Sequence, residues 1–315
     1  MSITLCIIAH ARQYNLDKIF RELYSLDFSL KKDLKIKVLN DFFCNHALID
    51  KISKDCKDSG LDFENIILSN YQYFNKSILM SEQQTEYIIK CDEDIYLTTD
   101  GWNKYLHDLK RINWNNTGCY VPLITSGIPT VEFFIDQLMD PEDAAFFRSE
   151  FSKIQIPNLW GVEYEHLRYS TDNVSAFFDQ VNEIKHHYKG IHPLRVSAYL
   201  QNILVDYILI NQEWKSQNVT NNLMDFHPVY FCNSMFLMPT KSYKNAIKGM
   251  QTDKYIMDGF DEVGLNQYIS DIDKRFTCNM NSVAVHPSYN TIGVCYSQIS
   301  DKFFNNMSTT PKLKT

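Results

Sequence analysis

Tyr87-Ile88-Ile89-Lys90-Cys91-Asp92-Glu93-Asp94-Ile95-Tyr96 is the stretch on which the reading of this chain turns. Its first half is short and mostly apolar, with paired isoleucines, the composition of a buried strand. Its second half opens with three consecutive acids, which a sheet interior does not tolerate, so the strand ends there. In extended chain, residues two apart point to the same side. This predicts that Asp92 and Asp94 converge on one cation. Carboxylates with spare positions for water suit Mg2+ or Mn2+ bridging a diphosphate. The competing reading is a solvated acidic turn that only terminates the strand.

Working outward, this strand is the fourth in an alternating series. Residues 3–9, 34–39, 63–68 and 87–91 read as strands, and 15–26, 47–57, 71–82 and 99–109 read as helices. In the first helix Leu16, Ile19, Phe20 and Leu23 recur at helical spacing. Thr98 or Thr99 is placed to cap the fourth. The alternation predicts an α/β fold, a Rossmann-like, mostly parallel sheet flanked by helices. In such sheets ligands bind beyond the carboxyl ends of the strands, where the three acids fall.

From about 129 to 222 the pattern is helical and rich in aromatic residues, with helices expected at 141–151, 172–188 and 193–214. Its aromatic side chains suit either core packing or a sugar-stacking platform. Strand character returns at 229–238 and 282–286, with helices at 242–248 and 261–269 between them. Residues 301–315 are polar and read as a loose tail.

The chain has 31 basic and 38 acidic residues, a net charge of −7. That balance argues against a nucleic-acid partner, which needs a basic face. It admits an anionic substrate only through a metal or a local basic patch. No apolar run reaches the roughly 18 residues of a transmembrane span. Residues 3–9 lack a basic flank and read as a strand, not a signal peptide. The eight cysteines are scattered, with no C-x-x-C pair. They read as free thiols of a cytoplasmic protein.

The acidic segment resembles the D-x-D motif of metal-dependent, nucleotide-sugar glycosyltransferases of the GT-A fold. Further segments are similar to that family in the same order. Residues 3–10 and the helix after them resemble its first strand and nucleotide-side loop. Asn75 occupies a similar polar position before the motif. Asp258-Gly259-Phe260-Asp261-Glu262-Val263-Gly264-Leu265-Asn266-Gln267-Tyr268 resembles its acidic helix start, in a form similar to that of some retaining members. Val283-Ala284-Val285-His286-Pro287 resembles its late metal-binding strand. The resemblance covers residues 1–125 and 228–290.

The resemblance implies a GT-A type sheet with a helical insertion, divided as 1–128 (nucleotide-sugar half), 129–222 (insertion and acceptor region), 223–300 (acceptor and catalytic half) and 301–315 (tail). It implies Asp92, Asp94 and His286 as ligands of Mn2+ or Mg2+. Ala9, His10, Arg12, Asn75, Asp92 and Glu93 would contact the donor, with a UDP-sugar favoured. Asp261 or Glu262 would be the catalytic carboxylate. The acceptor would be a glycan or lipid-linked glycan, in surface polysaccharide synthesis, with peripheral association at the inner membrane face. One departure leaves inverting and retaining chemistry both open: Leu265-Asn266-Gln267 stands where many inverting members carry a Glu-Asp pair. Two other classes fit parts of the pattern. A nucleotidyltransferase-like enzyme on a similar sheet would want a glycine-rich phosphate loop, which Ala9-His10-Ala11-Arg12-Gln13 does not supply. A non-catalytic carbohydrate-binding protein would carry the acids as surface.

Overall fold

The structure, a computed structural model, describes residues 1–9, 15–41, 44–68, 73–124, 134–135, 139–151, 153, 200, 203–204, 207, 223–226, 234–255 and 262–286. In chain order the elements are β1 (Ile3–Ile8), α1 (Leu16–Tyr24), α2 (Phe28–Lys31), β2 (Leu34–Asn40), α3 (His46–Asp58), β3 (Asp62–Ile67), α4 (Tyr73–Ser81), β4 (Tyr87–Asp92), α5 (Thr99–Asp108), β5 (Thr117–Ile124), α6 (Pro141–Phe151), β6 (Leu223–Phe226), β7 (Met235–Pro239), α7 (Thr240–Gln251), α8 (Glu262–Asp271) and β8 (Arg275–Ala284). The chain divides into two compact units, one of residues 1–124 and 221–284, the other of 125–220 and 285–315.

The first unit is an α/β sheet in the order β3-β2-β1-β4-β7-β5-β8-β6. The expected parallel core is present: β3, β2, β1 and β4 run parallel. Beyond it the sheet is mixed. β7 is antiparallel to both β4 and β5, β5 and β8 are parallel, and β6 is antiparallel to β8. β1 is buried along its whole length because strands flank it on both sides and both its faces are covered. At the sheet edge, β3 alternates exposed and half-buried positions and carries Asp62 and Glu64, charges that discourage edge-to-edge pairing.

The helices form where the sequence pattern places them. α1 buries Leu16, Ile19, Phe20 and Leu23, and Phe20 meets Phe63 of β3 edge-on at 5.5 Å. Full burial of each such side chain contributes about 1.5–3 kcal/mol. The Asn45 side chain caps α3 by accepting from the Leu48 N–H at 3.2 Å. Of the two threonines eligible to cap α5, Thr98 does so, accepting from the Gly101 N–H at 3.0 Å.

β5 has no counterpart in the sequence reading, and Pro122 explains why. A proline argues against a central strand because it has no N–H for the ladder. Here the β5–β8 register shifts between Pro122 and Leu123, so the proline falls at an irregularity. Stacked rings of Tyr105 and Tyr120, 4.5 Å apart, tie β5 to α5. Each hydroxyl donates to the other residue's carbonyl, at 2.8 and 3.0 Å. β8 also begins earlier than expected, at Arg275. Gly118 in β5 is required by packing: a Cβ there would stand 2.8 Å from Ile269 of α8.

In the second unit, Phe134, Ile135, Met139, Phe147, Leu200 and Leu204 are buried. Tyr207 packs edge-on against Phe134, and its hydroxyl accepts from the Asp140 N–H at 3.0 Å. The helix expected at 141–151 is α6. The helix expected at 172–188 lies outside the described residues, as does most of that expected at 193–214.

Candidate functional site

The sheet order places a switch point between β1 and β4. From β1 the chain builds toward β2 and β3 on one side, then returns to place β4 on the other. A crevice at such a reversal is where α/β sheets bind ligands. The parallel register pairs Ile8 with Asp92, so the acidic segment starts at the carboxyl end of β1. Two backbone bonds hold it there. The Glu93 N–H donates to the Ile8 carbonyl at 3.1 Å, and the Asp92 N–H to the Ser234 carbonyl at 2.8 Å.

Only Asp92 belongs to the strand. Glu93 and Asp94 lie in a turn closed by the Ile95 N–H donating to the Asp92 carbonyl at 3.1 Å. The extended-chain argument for convergence therefore does not hold; the three acids are gathered by a turn. They are also less solvated than a strand-ending turn implies. Glu93 is 7% exposed and Asp94 8%, and the Asp92 side chain is 21% exposed.

Two lysines stand with these acids. Lys90 of β4 is fully buried, with its ammonium 3.5 Å from an Asp92 carboxylate oxygen and 5.9 Å from the Phe236 ring centre. Lys76 of α4 is 1% exposed. Its ammonium donates to the Ala9 carbonyl at 2.7 Å. Burial pushes the Lys76 pKa down, and the carboxylates of Asp41, Glu93 and Asp92 oppose that shift. Asp41, just past the end of β2, is fully buried. Asp92 and Asp94 act on Cys91 as well, whose thiol is pushed well up first by burial and then by these two carboxylates.

Ala9 is buried, and both its backbone groups are engaged, the N–H with the Leu39 carbonyl at 3.1 Å and the carbonyl with Lys76. Asn75 is half-buried on the first turn of α4, beside Lys76. The structure thus brings Ala9, Asp92, Glu93 and Asp94 together at the β1–β4 switch. His10, Arg12 and Asp261 lie outside the described residues. Glu262 opens α8, and its side chain is not described. His286 follows β8, is 1% exposed and belongs to the second unit.

Sequence reasoning missed Asp41, Lys76 and Lys90. Lys90 left a signal: a charge inside an otherwise apolar strand needs a partner. Lys76 left none, because a lysine on a short helix ordinarily faces water.

Around the crevice the described residues place four carboxylates (Asp41, Asp92, Glu93, Asp94) against two ammonium groups (Lys76, Lys90). Among the described residues, no group of three or more His, Cys, Asp or Glu side chains is arranged to hold a metal ion. The carboxylates of Asp92 and Asp94 suit a cation held by one or two of them and completed by water and substrate oxygens, the mode in which Mg2+ is usually bound.

The six described cysteines are free, five of them buried. Among the described residues no helix is long and apolar enough to cross a membrane.

No protein-family model matches the chain, and no curated protein does. Solved structures similar to it include TarS of S. aureus, at 12% identity and a TM-score of 0.32 over 39% of this chain and 22% of that one. A mannosyltransferase, PcManGT of Pyrobaculum calidifontis, solved with GDP-Man and Mn2+, is similar at 9% identity and a TM-score of 0.47, over 98% of this chain and 65% of that one. GalNAc-T7, solved with UDP, GalNAc and Mn2+, is similar at 10% identity and a TM-score of 0.47, over 93% and 44%. The chain thus spans between 22% and 65% of the length of these proteins. Likeness at this level carries no argument about activity.

Proposed function

We propose that the chain is a divalent-metal-dependent glycosyltransferase of GT-A type. It moves a sugar from a nucleoside-diphosphate donor, with a UDP-sugar favoured, to a hydroxyl of a glycan or lipid-linked glycan. One observation carries the reading: the Asp92–Glu93–Asp94 turn is held at the β1–β4 switch point, with Glu93 and Asp94 buried there. The D-x-D resemblance of the same residues supports it.

In this reading Asp92 and Asp94 would hold Mn2+ or Mg2+, with water and substrate oxygens completing the shell; the expected third ligand, His286, is not grouped with them among the described residues. A cation there acts as a Lewis acid toward the leaving diphosphate. The protein does the rest. Lys76 braces the Ala9 carbonyl at the end of β1 and faces the carboxylates of Asp41, Glu93 and Asp92. Ala9, His10, Arg12, Asn75 and Glu93 line the nucleotide. The acceptor hydroxyl must lose its proton as it attacks, and Asp261 or Glu262 takes it in an inverting reaction. In a retaining reaction the same carboxylate supports the oxocarbenium-like centre or attacks it. Residues 129–222 select the acceptor. The setting is surface polysaccharide synthesis in the cytoplasm, with peripheral contact at the inner membrane face where the acceptor is lipid-linked.

The test is a donor-hydrolysis screen across UDP-, GDP- and CDP-sugars with Mn2+, with the product anomer read by NMR. Metal-dependent release of sugar from one donor class supports the reading. No hydrolysis and no metal-dependent thermal shift with any nucleotide overturns it.

A further inference from the structure

The acidic turn is fixed at both ends, and the second anchor comes from a helix with no place in the donor site proposed above. At its entrance Glu93 is bonded to β1 through the backbone. Past its exit, Tyr96 and Thr99 are both gripped by one carboxylate, Glu22 of α1. Its Oε1 accepts from the Tyr96 hydroxyl at 2.6 Å. Its Oε2 accepts from the Thr99 N–H and the Thr99 hydroxyl, both at 2.8 Å. The Thr99 hydroxyl also lies 3.1 Å from the Glu22 carbonyl. Tyr96 is 4% exposed, and Glu22 is half-buried.

Such bonds to an ionised carboxylate are roughly twice as strong as neutral ones. Two of them sit at the first turn of α5, where a negative charge also meets the positive end of the helix dipole. Thr98 already caps this helix through the Gly101 N–H. Glu22 adds a second cap from outside the segment and couples α1 to the residues just after Asp94. The turn is thus bounded by backbone bonds at Glu93 and Ile95 and by the side-chain anchor at Tyr96. Groups that hold the residues around a metal's ligands fix their geometry and tune affinity.

The geometry points to Glu22 as a positioning residue that acts through Tyr96 and Thr99 to fix the Asp92–Asp94 turn in its cation-binding form. The inference rests on the donor-site reading. It adds a residue that the D-x-D resemblance does not include.

The test is Mn2+ titration in the presence of UDP, followed by loss of the free Mn2+ signal in electron paramagnetic resonance. The proteins are wild type, Glu22→Ala, Tyr96→Phe and Tyr255→Phe. The last removes a bond of the same chemistry elsewhere, the Tyr255 hydroxyl to Asp271 at 2.8 Å. Glu22→Ala and Tyr96→Phe should each weaken Mn2+ binding, by about tenfold for the first, while Tyr255→Phe leaves it unchanged. If Glu22→Ala does not fold, Tyr96→Phe decides alone. Lower melting temperatures with unchanged Mn2+ affinity would make Glu22 a helix cap and nothing more. If wild type takes up no Mn2+ with UDP, GDP or CDP, each tried in turn, the donor-site reading has failed, and the positioning role falls with it.

Discussion

The Lys76 ammonium donates to the Ala9 carbonyl at 2.7 Å, joining α4 to the end of β1 from inside the sheet-helix layer. A lysine this buried costs stability while charged. It is kept because it braces the strand end and balances the carboxylates of Asp41, Glu93 and Asp92.

That lysine makes stability pH-dependent in a direction that can be checked. Burial lowers its pKa from 10.5 in the folded protein. Between the folded and unfolded values the unfolded chain binds more protons, so stability rises with pH. Urea unfolding of metal-free wild type and Lys76→Met should therefore diverge in favour of wild type as pH climbs toward 10.5. A difference that stays flat over that window would show that the burial penalty is not expressed.

Lys90 should report on the charge balance. Replacing it with Met removes the ammonium that stands 3.5 Å from the Asp92 carboxylate. Asp92 is partly exposed, so the loss should be smaller than for a fully buried pair, about 1–3 kcal/mol. The same change removes a positive charge beside Asp92 that a dication there would replace. Added Mn2+ should then raise the melting temperature more in Lys90→Met than in wild type. An equal or smaller rise would place the cation away from Asp92.

The described cysteines should be poor nucleophiles. Burial pushes the thiols of Cys6 and Cys56 up to about 12. Cys44 is only half-buried, and its pKa is raised less far. Brief labelling of the native protein with a disulfide reagent, read by peptide mass spectrometry, should modify Cys44 before the other described cysteines. Early modification of Cys6 would contradict the packing of β1.

Much of the nucleotide-side half was legible because its signals are local. Apolar runs gave β1, β2, β3 and β4 to within about two residues, and periodicity gave α1 and α3. The three acids gave the end of β4. What was not legible depends on partners distant in sequence. β5 hid behind Pro122, which is tolerated at a register shift with β8. The antiparallel insertion of β7 between β4 and β5 follows from pairing across more than a hundred residues, which no local pattern encodes. In the site, the pairing of Asp92 with Lys90 lay two residues apart in plain sight. Lys76 and Glu22 bond to the chain on either side of the turn, at Ala9 and at Tyr96, from separate helices, and only the fold brings them there. The extended-chain geometry of Asp92 and Asp94 was replaced by a turn because the Ile95 N–H closes back on Asp92.

The central claim is that the Asp92–Asp94 turn admits a nucleoside diphosphate only together with a divalent cation. Isothermal titration of UDP, GDP and CDP into wild type and Asp94→Ala, with Mn2+ and after thorough chelation, tests it most directly. Wild type should bind one of the nucleotides with Mn2+ and lose that binding on chelation, and Asp94→Ala should weaken it by about 100-fold. Equal binding in chelator, or an Asp94→Ala protein that binds as wild type does, would contradict the account.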